Sequence, residues 1–200
     1  KGDPLKTVDW KATAKKQRLQ VRTFEPSVSF TVVLVVAVDT RAPYWEKYPR
    51  EDLERVVTVA ASVASYAAER QYNLGLFTND MPIPANRPMT VPPGTGREQL
   101  RTVLGAIAII RLYSFGPMYE RLAEHARKFP MGATLAVVTA FLPPEFVITL
   151  GDLKKRGFKI VVLYVGRTPC PELPEGIQVH EIRDYLVEME EAFEPVAGQT

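Results

Sequence analysis

Val32-Val33-Leu34-Val35-Val36-Ala37-Val38-Asp39-Thr40-Arg41-Ala42-Pro43 is the stretch on which the reading of this chain turns. Its aliphatic residues run on without alternating with polar ones, as a strand covered on both faces requires, and such strands belong to parallel sheets. The run ends on a carboxylate. Open α/β sheets place their ligand chemistry outside the carboxyl ends of central strands, which makes Asp39 the first candidate functional residue. The loop after it carries a guanidinium and a proline, Arg41 and Pro43, where an ion site would be completed by small oxygen donors.

Outward from that strand, placed at about residues 29–39, helical and extended patterns alternate. Leu53, Val56, Val57, Ala60, Val63, Ala64 and Ala67 recur at helical spacing between Glu51 and Arg70, with Pro49 just ahead. Residues 73–78 read as a second strand. Residues 81–96 hold five prolines, too many for a central strand, and read as a loop with a short edge strand around Met89 to Val91. Two helices are expected at 97–110 and 117–128, a buried strand at 133–139, and a helix at 143–156 closed by Gly157. A strand at 159–165, an edge strand at 177–181 and a terminal helix at 184–194 complete the pattern. Strands alternating with helices predict an α/β fold, a three-layer α/β/α sandwich around a mostly parallel sheet. Residues 1–28 form a polar lead-in with an edge strand at Arg18 to Arg22, and 29–200 form the domain proper.

Composition removes several function classes. With 200 residues, 46% apolar and 24% charged, the chain is an ordinary globular domain with a sizeable core. Its 25 basic residues against 23 acidic ones leave a net charge of +2, no general attraction for nucleic acid. The single Cys170 excludes an intrachain disulfide and a cysteine zinc cluster. No apolar run approaches the roughly 20 residues of a membrane span. The sequence opens at Lys1 without methionine and reads as a fragment, leaving an upstream targeting or anchoring segment open.

Asp3-Pro4, Val8-Asp9-Trp10-Lys11-Ala12-Thr13-Ala14, then Arg18-Leu19 and Val21, form the most specific stretch. It resembles the lead-in of bacterial proteins in domain-of-unknown-function family 58, whose soluble part is similar to the von Willebrand factor A-type fold. The likeness covers most of residues 3–165. It implies a setting more than a reaction: a soluble domain following membrane helices, on the cytoplasmic face of the membrane, working with a MoxR-type AAA ATPase. No enzymatic activity and no cofactor come with it.

The same resemblance implies a metal site of Asp-x-Ser-x-Ser plus a Thr and an Asp from later loops. Here Asp39 holds the first position, Arg41 and Pro43 stand at the serines, Ala140 stands at the late aspartate, and Ser114 aligns loosely with the threonine. Metal binding is therefore not expected. Two outcomes stay open for the carboxylate: Arg41 pairs with it in the cation's place, or backbone amides satisfy it while Arg41 faces solvent.

The remaining candidates weigh less. His125 and His180 lie on different elements and read as ordinary histidines, Cys170 as a loop thiol, and Gly94-Thr95-Gly96 as a turn without phosphate-loop spacing. Lys15, Lys16, Arg18 and Arg22 read as a solvated strand edge, with anionic lipid as the rival partner. Trp10 is expected to pack the lead-in onto the sheet. Tyr44, Trp45, Tyr48, Leu112, Tyr113, Phe115, Phe141 and Leu142 should gather at the sheet's carboxyl edge, as interface anchors or as caps on the core.

The expected function is thus a non-enzymatic protein-interaction module centred on Asp39, Arg41, Trp45, Ser114 and Phe141. Two rivals are a metal-dependent adhesion or ligand-binding module and a hydrolase using Asp39 and Asp80. For the Asn79-Asp80 pair, turn capping is the default role.

Overall fold

A computed structural model of the chain describes residues 30–41, 49–80, 88–111, 114 and 116–182. Among these residues six strands form one sheet: β1 (Thr31–Val36), β2 (Asn73–Thr78), β3 (Met89–Gly94), β4 (Thr134–Thr139), β5 (Lys159–Tyr164) and β6 (Gln178–Glu181). Their spatial order is β3-β2-β1-β4-β5-β6, with β3 antiparallel and every other neighbour parallel. Chain order reverses direction at β1. The carboxyl ends of β1 and β4 therefore flank the switch point, where such sheets open a crevice.

Among the described residues four helices cover the sheet: α1 (Arg50–Glu69), α2 (Gly96–Ala108), α3 (Met118–His125) and α4 (Pro144–Lys155). Alternate residues of β1 face opposite layers. Val32, Leu34 and Val36 pack with Val56, Ala60 and Ala64 of α1 and with Val103 and Ile107 of α2. Val33, Val35 and Ala37 pack with Met118 and Leu122 of α3 and with Phe146, Leu150 and Leu153 of α4. This is why the strand shows no polar residue between 32 and 38: both faces are core. The expected three-layer α/β architecture is the one observed.

Strand and helix limits follow the sequence patterns to within a few residues, and β2 coincides with its expectation. The 117–128 helix ends at His125 and continues as a 3-10 turn over Ala126–Lys128. β3 is longer than expected, running through Pro92 and Pro93 to Gly94. It lies at the sheet edge, where missing amide donors cost no ladder bonds, and its register against β2 shifts between Leu74 and Leu76. Gly75 makes room there, since a Cβ on it would lie 3.0 Å from the Pro93 ring. The lead-in with Trp10, the 18–22 strand and the 184–194 helix lie outside the described residues.

Candidate functional site

At the end of β1 the ladder changes partners. The Ala37 amide still donates to the Val138 carbonyl of β4 at 3.0 Å. On the other side, the Val38 amide donates to Asn79 Oδ1, at 2.9 Å, instead of a backbone carbonyl. Asn79 follows directly on β2, so its amide side chain extends the β1–β2 pairing by one step beyond the strands.

Its other end holds the acid. Asn79 Nδ2 donates to Asp39 Oδ1 at 2.7 Å and to the Gly116 carbonyl at 3.0 Å. The second carboxylate oxygen, Oδ2, accepts from the Met118 amide at 2.9 Å. Met118 is the first residue of α3, whose N-cap, Pro117, makes no side-chain cap bond. Asp39 therefore serves as a remote cap, placing negative charge at the helix's positive end. Gly116, at φ +89°, turns the chain into that helix in a conformation that side-chain-bearing residues rarely adopt.

Asp39 is 5% exposed and Asn79 fully buried. Removing the carboxylate from water disfavours its charge more than the Met118 and Asn79 bonds favour it, and its pKa is pushed up to about 6. The unfolded value is lower, so between about pH 4 and 6 the folded chain holds the extra proton. Stability from this group is full below that window and is lost as pH rises through it. In urea titrations, the wild-type advantage over Asp39→Ala should fall by on the order of 3 kcal/mol from pH 4 to pH 7. Parallel stability curves for the two proteins would rule this out.

The other expected site residues fall as follows. Arg41 is exposed, and the partners on Asp39's two oxygens are Asn79 and Met118. Of the two outcomes left open for the acid, hydrogen bonding without the guanidinium is the one found, with a side-chain amide sharing the task. Ser114 is half-buried and forms an isolated antiparallel bridge with Asp80, which is itself fully buried. The Asp80 amide donates to Thr78 Oγ1 at 3.2 Å, so the threonine hydroxyl closes this turn, while the Asn79 side chain, expected to cap it, is spent on Val38, Asp39 and Gly116. Ala140 is buried against the core. Phe141 is half-buried, its loop folded by Thr139, whose hydroxyl donates to the Phe141 carbonyl at 2.7 Å. Leu142 is buried in the α3–α4 layer, so that member of the apolar set caps the core. Trp45, with Tyr44, Tyr48, Leu112, Tyr113 and Phe115, lies outside the described residues.

The bland candidates stay bland. His125 stacks on Phe77 at 4.8 Å between centroids, and burial and the nearby Lys128 both lower its pKa. His180 is exposed on β6. Burial raises the pKa of Cys170, as does the charge of Glu181, leaving it a poor nucleophile. Sequence reasoning missed Asn79 as the centre of the site. The available signal was its position, one residue past a buried strand neighbouring the Asp39 strand.

Comparison with known proteins bears on fold and family. Two structures of the pilus adhesin SpaC from Lactobacillus rhamnosus GG are similar, one in an open conformation, with TM-scores of 0.53 and 0.55 at 10% and 12% identity. The alignments take in 83% and 84% of this chain, which spans only 30% of the adhesin in each. At such identity the likeness is one of fold. No curated protein matches the sequence. Residues 1–175 match the family described as "Protein of unknown function DUF58", and the chain belongs to that family.

Proposed function

We propose that this domain is a non-enzymatic docking module of the von Willebrand factor A type, in which the usual ion site has become a fixed protein-binding crest. Asp39 and Arg41 lie at its centre with Ser114 and Phe141 beside them, and Trp45, outside the described residues, belongs to the same proposed anchor set by sequence. The partner is a MoxR-type AAA ATPase, and the assembly sits at the cytoplasmic face of a membrane. Among the described residues no helix is long and apolar enough to cross a membrane.

One observation carries this reading: the Asp39 carboxylate is buried, and each of its oxygens accepts a hydrogen bond from the protein. A hard divalent ion needs several oxygen ligands in a near-octahedral array. Around Asp39 an amide nitrogen and a backbone N–H point inward, and Ala140 offers no donor. Among the described residues, no three His, Cys, Asp or Glu side chains cluster closely enough to hold a metal. The same commitment weakens Asp39 as a hydrolytic acid or base, because a proton relay needs an oxygen open to substrate. The described residues do not fit the ion.

Calorimetric titration with Mg²⁺ and Mn²⁺ should give no stoichiometric heat; a clear heat abolished by Asp39→Ala would favour the metal-dependent adhesion rival. Arg41→Glu with Phe141→Ala should weaken capture of the ATPase at least about tenfold, as loss of an interface anchor does. Undiminished capture by that folded variant would remove the docking claim.

A further inference from the structure

The opposite edge of the sheet has a different character. Thr31 and Asn73 pair at the amino ends of β1 and β2, and Thr134 and Lys159, at the amino ends of β4 and β5, pair one residue further along, level with Val32. Among the described residues, the segments leading into β2, β4 and β5 carry Arg70, Arg127, Lys128, Lys155 and Arg156, β5 itself opens on Lys159, and all six side chains are exposed. Among the described residues the acids near this edge include Glu69, Asp152, which pairs with Lys155 at 3.1 Å, and Glu172 and Glu175 in the segment entering β6. Cations outnumber acids among the described residues of this edge, although the chain as a whole carries only +2.

Helix carboxyl termini open on the same edge, and cations complement them. That accounts for Arg70, Lys128 and Lys155. It leaves the apolar residues among them unexplained. Met131, between Pro130 and Gly132 in the turn before β4, is 82% exposed, more than any other large apolar side chain among the described residues. Phe30, where the chain enters β1, is 39% exposed, with the Lys159 ammonium 5.8 Å from its ring centroid. Apolar tips set in a ring of cations match an anionic bilayer surface, where the cations meet headgroups and the tips enter the acyl boundary. Phosphate recognition on a nucleic acid would use the cations alone and would leave Met131 in water.

We propose that the amino edge of this sheet, centred on Lys128, Met131 and Arg156, binds the surface of anionic lipid bilayers. The edge lies across the domain from Asp39, so lipid and protein partner can be engaged together. This inference goes beyond the docking reading, and its readout contains no protein partner, so either can fail alone.

The test is co-sedimentation of the 200-residue chain with vesicles of phosphatidylcholine, with and without one-quarter phosphatidylglycerol. Binding is expected only with the anionic lipid and should vanish in half-molar NaCl. Each cation near such a surface is worth about fivefold in partitioning, so Lys128→Glu with Arg156→Glu should weaken binding at least about tenfold. Met131→Asp, a change at an exposed turn, should weaken it roughly fivefold by loss of apolar contact. If the double variant does not fold, Met131→Asp and the salt dependence carry the test. Equal binding to neutral vesicles, no binding at all, or undiminished binding by folded variants would each overturn the proposal. So would capture of a single-stranded oligonucleotide with vesicles ignored.

Discussion

Asn79→Ala is expected to destabilise the domain by about 4 kcal/mol, although the residue lies outside every helix and strand. The side chain makes three bonds: it accepts from the Val38 amide and donates to Asp39 Oδ1 and the Gly116 carbonyl. Alanine strands two buried partners, the Val38 amide and Asp39 Oδ1, and the half-buried Gly116 carbonyl, and each orphaned buried group costs roughly 1–3 kcal/mol. For a chain of this size the loss corresponds to a melting point lower by about 8–16 °C. Asn79→Ala and Asp39→Ala should also be coupled, since each removes the other's partner. Their double variant should be roughly 1–2 kcal/mol more stable than additive costs predict. Additive effects in that cycle would mean that the two side chains do not act as a unit.

Gly166→Ala is the second large loss, with a different cause. Gly166 follows β5, and a Cβ there would collide with the Ala140 carbonyl oxygen and the Tyr164 hydroxyl. Neither obstacle can swing aside freely. Ala140 is backbone at the end of β4, and the Tyr164 hydroxyl is hydrogen-bonded to Thr168 Oγ1 at 3.0 Å within a ring 2% exposed. Overpacking costs about 1–3 kcal/mol where neighbours yield, and about 4 kcal/mol is expected where a backbone atom is struck. Denaturant midpoints would read this directly. A wild-type midpoint for Gly166→Ala would show that the β5 exit relaxes, and that the crest of the sheet is softer than described. Gly105, whose Cβ would meet nothing within 4 Å, is the matched control on α2.

The layers of the fold were legible because each depends on a pattern of residues. The unbroken aliphatic run at 32–38 requires cover on both faces, and Val56, Ala60 and Ala64 at helical spacing supply half of it. Turn chemistry was legible too: Gly157 closes α4 at φ +94°. The site was legible only as a position. Asp39 at a central strand end marks where chemistry collects, but its partners come from 40 and 79 residues away. One of them is a backbone amide, and no residue type announces an amide. Arg41, two residues off, looked the natural counter-charge because nearness in sequence is visible. A chain leaving a strand, however, separates such neighbours within a turn. The extension of β3 through Pro92 and Pro93 was hidden for a similar reason, because proline excludes a central strand and says little about an edge.

The threefold grip of Asn79 has a kinetic corollary. Two strand exits and a helix start are bolted to one another, so under the proposed docking role a partner would meet these three segments already set. Recognition at this end of the domain should then be governed by encounter and residence time, with little waiting for the backbone to rearrange.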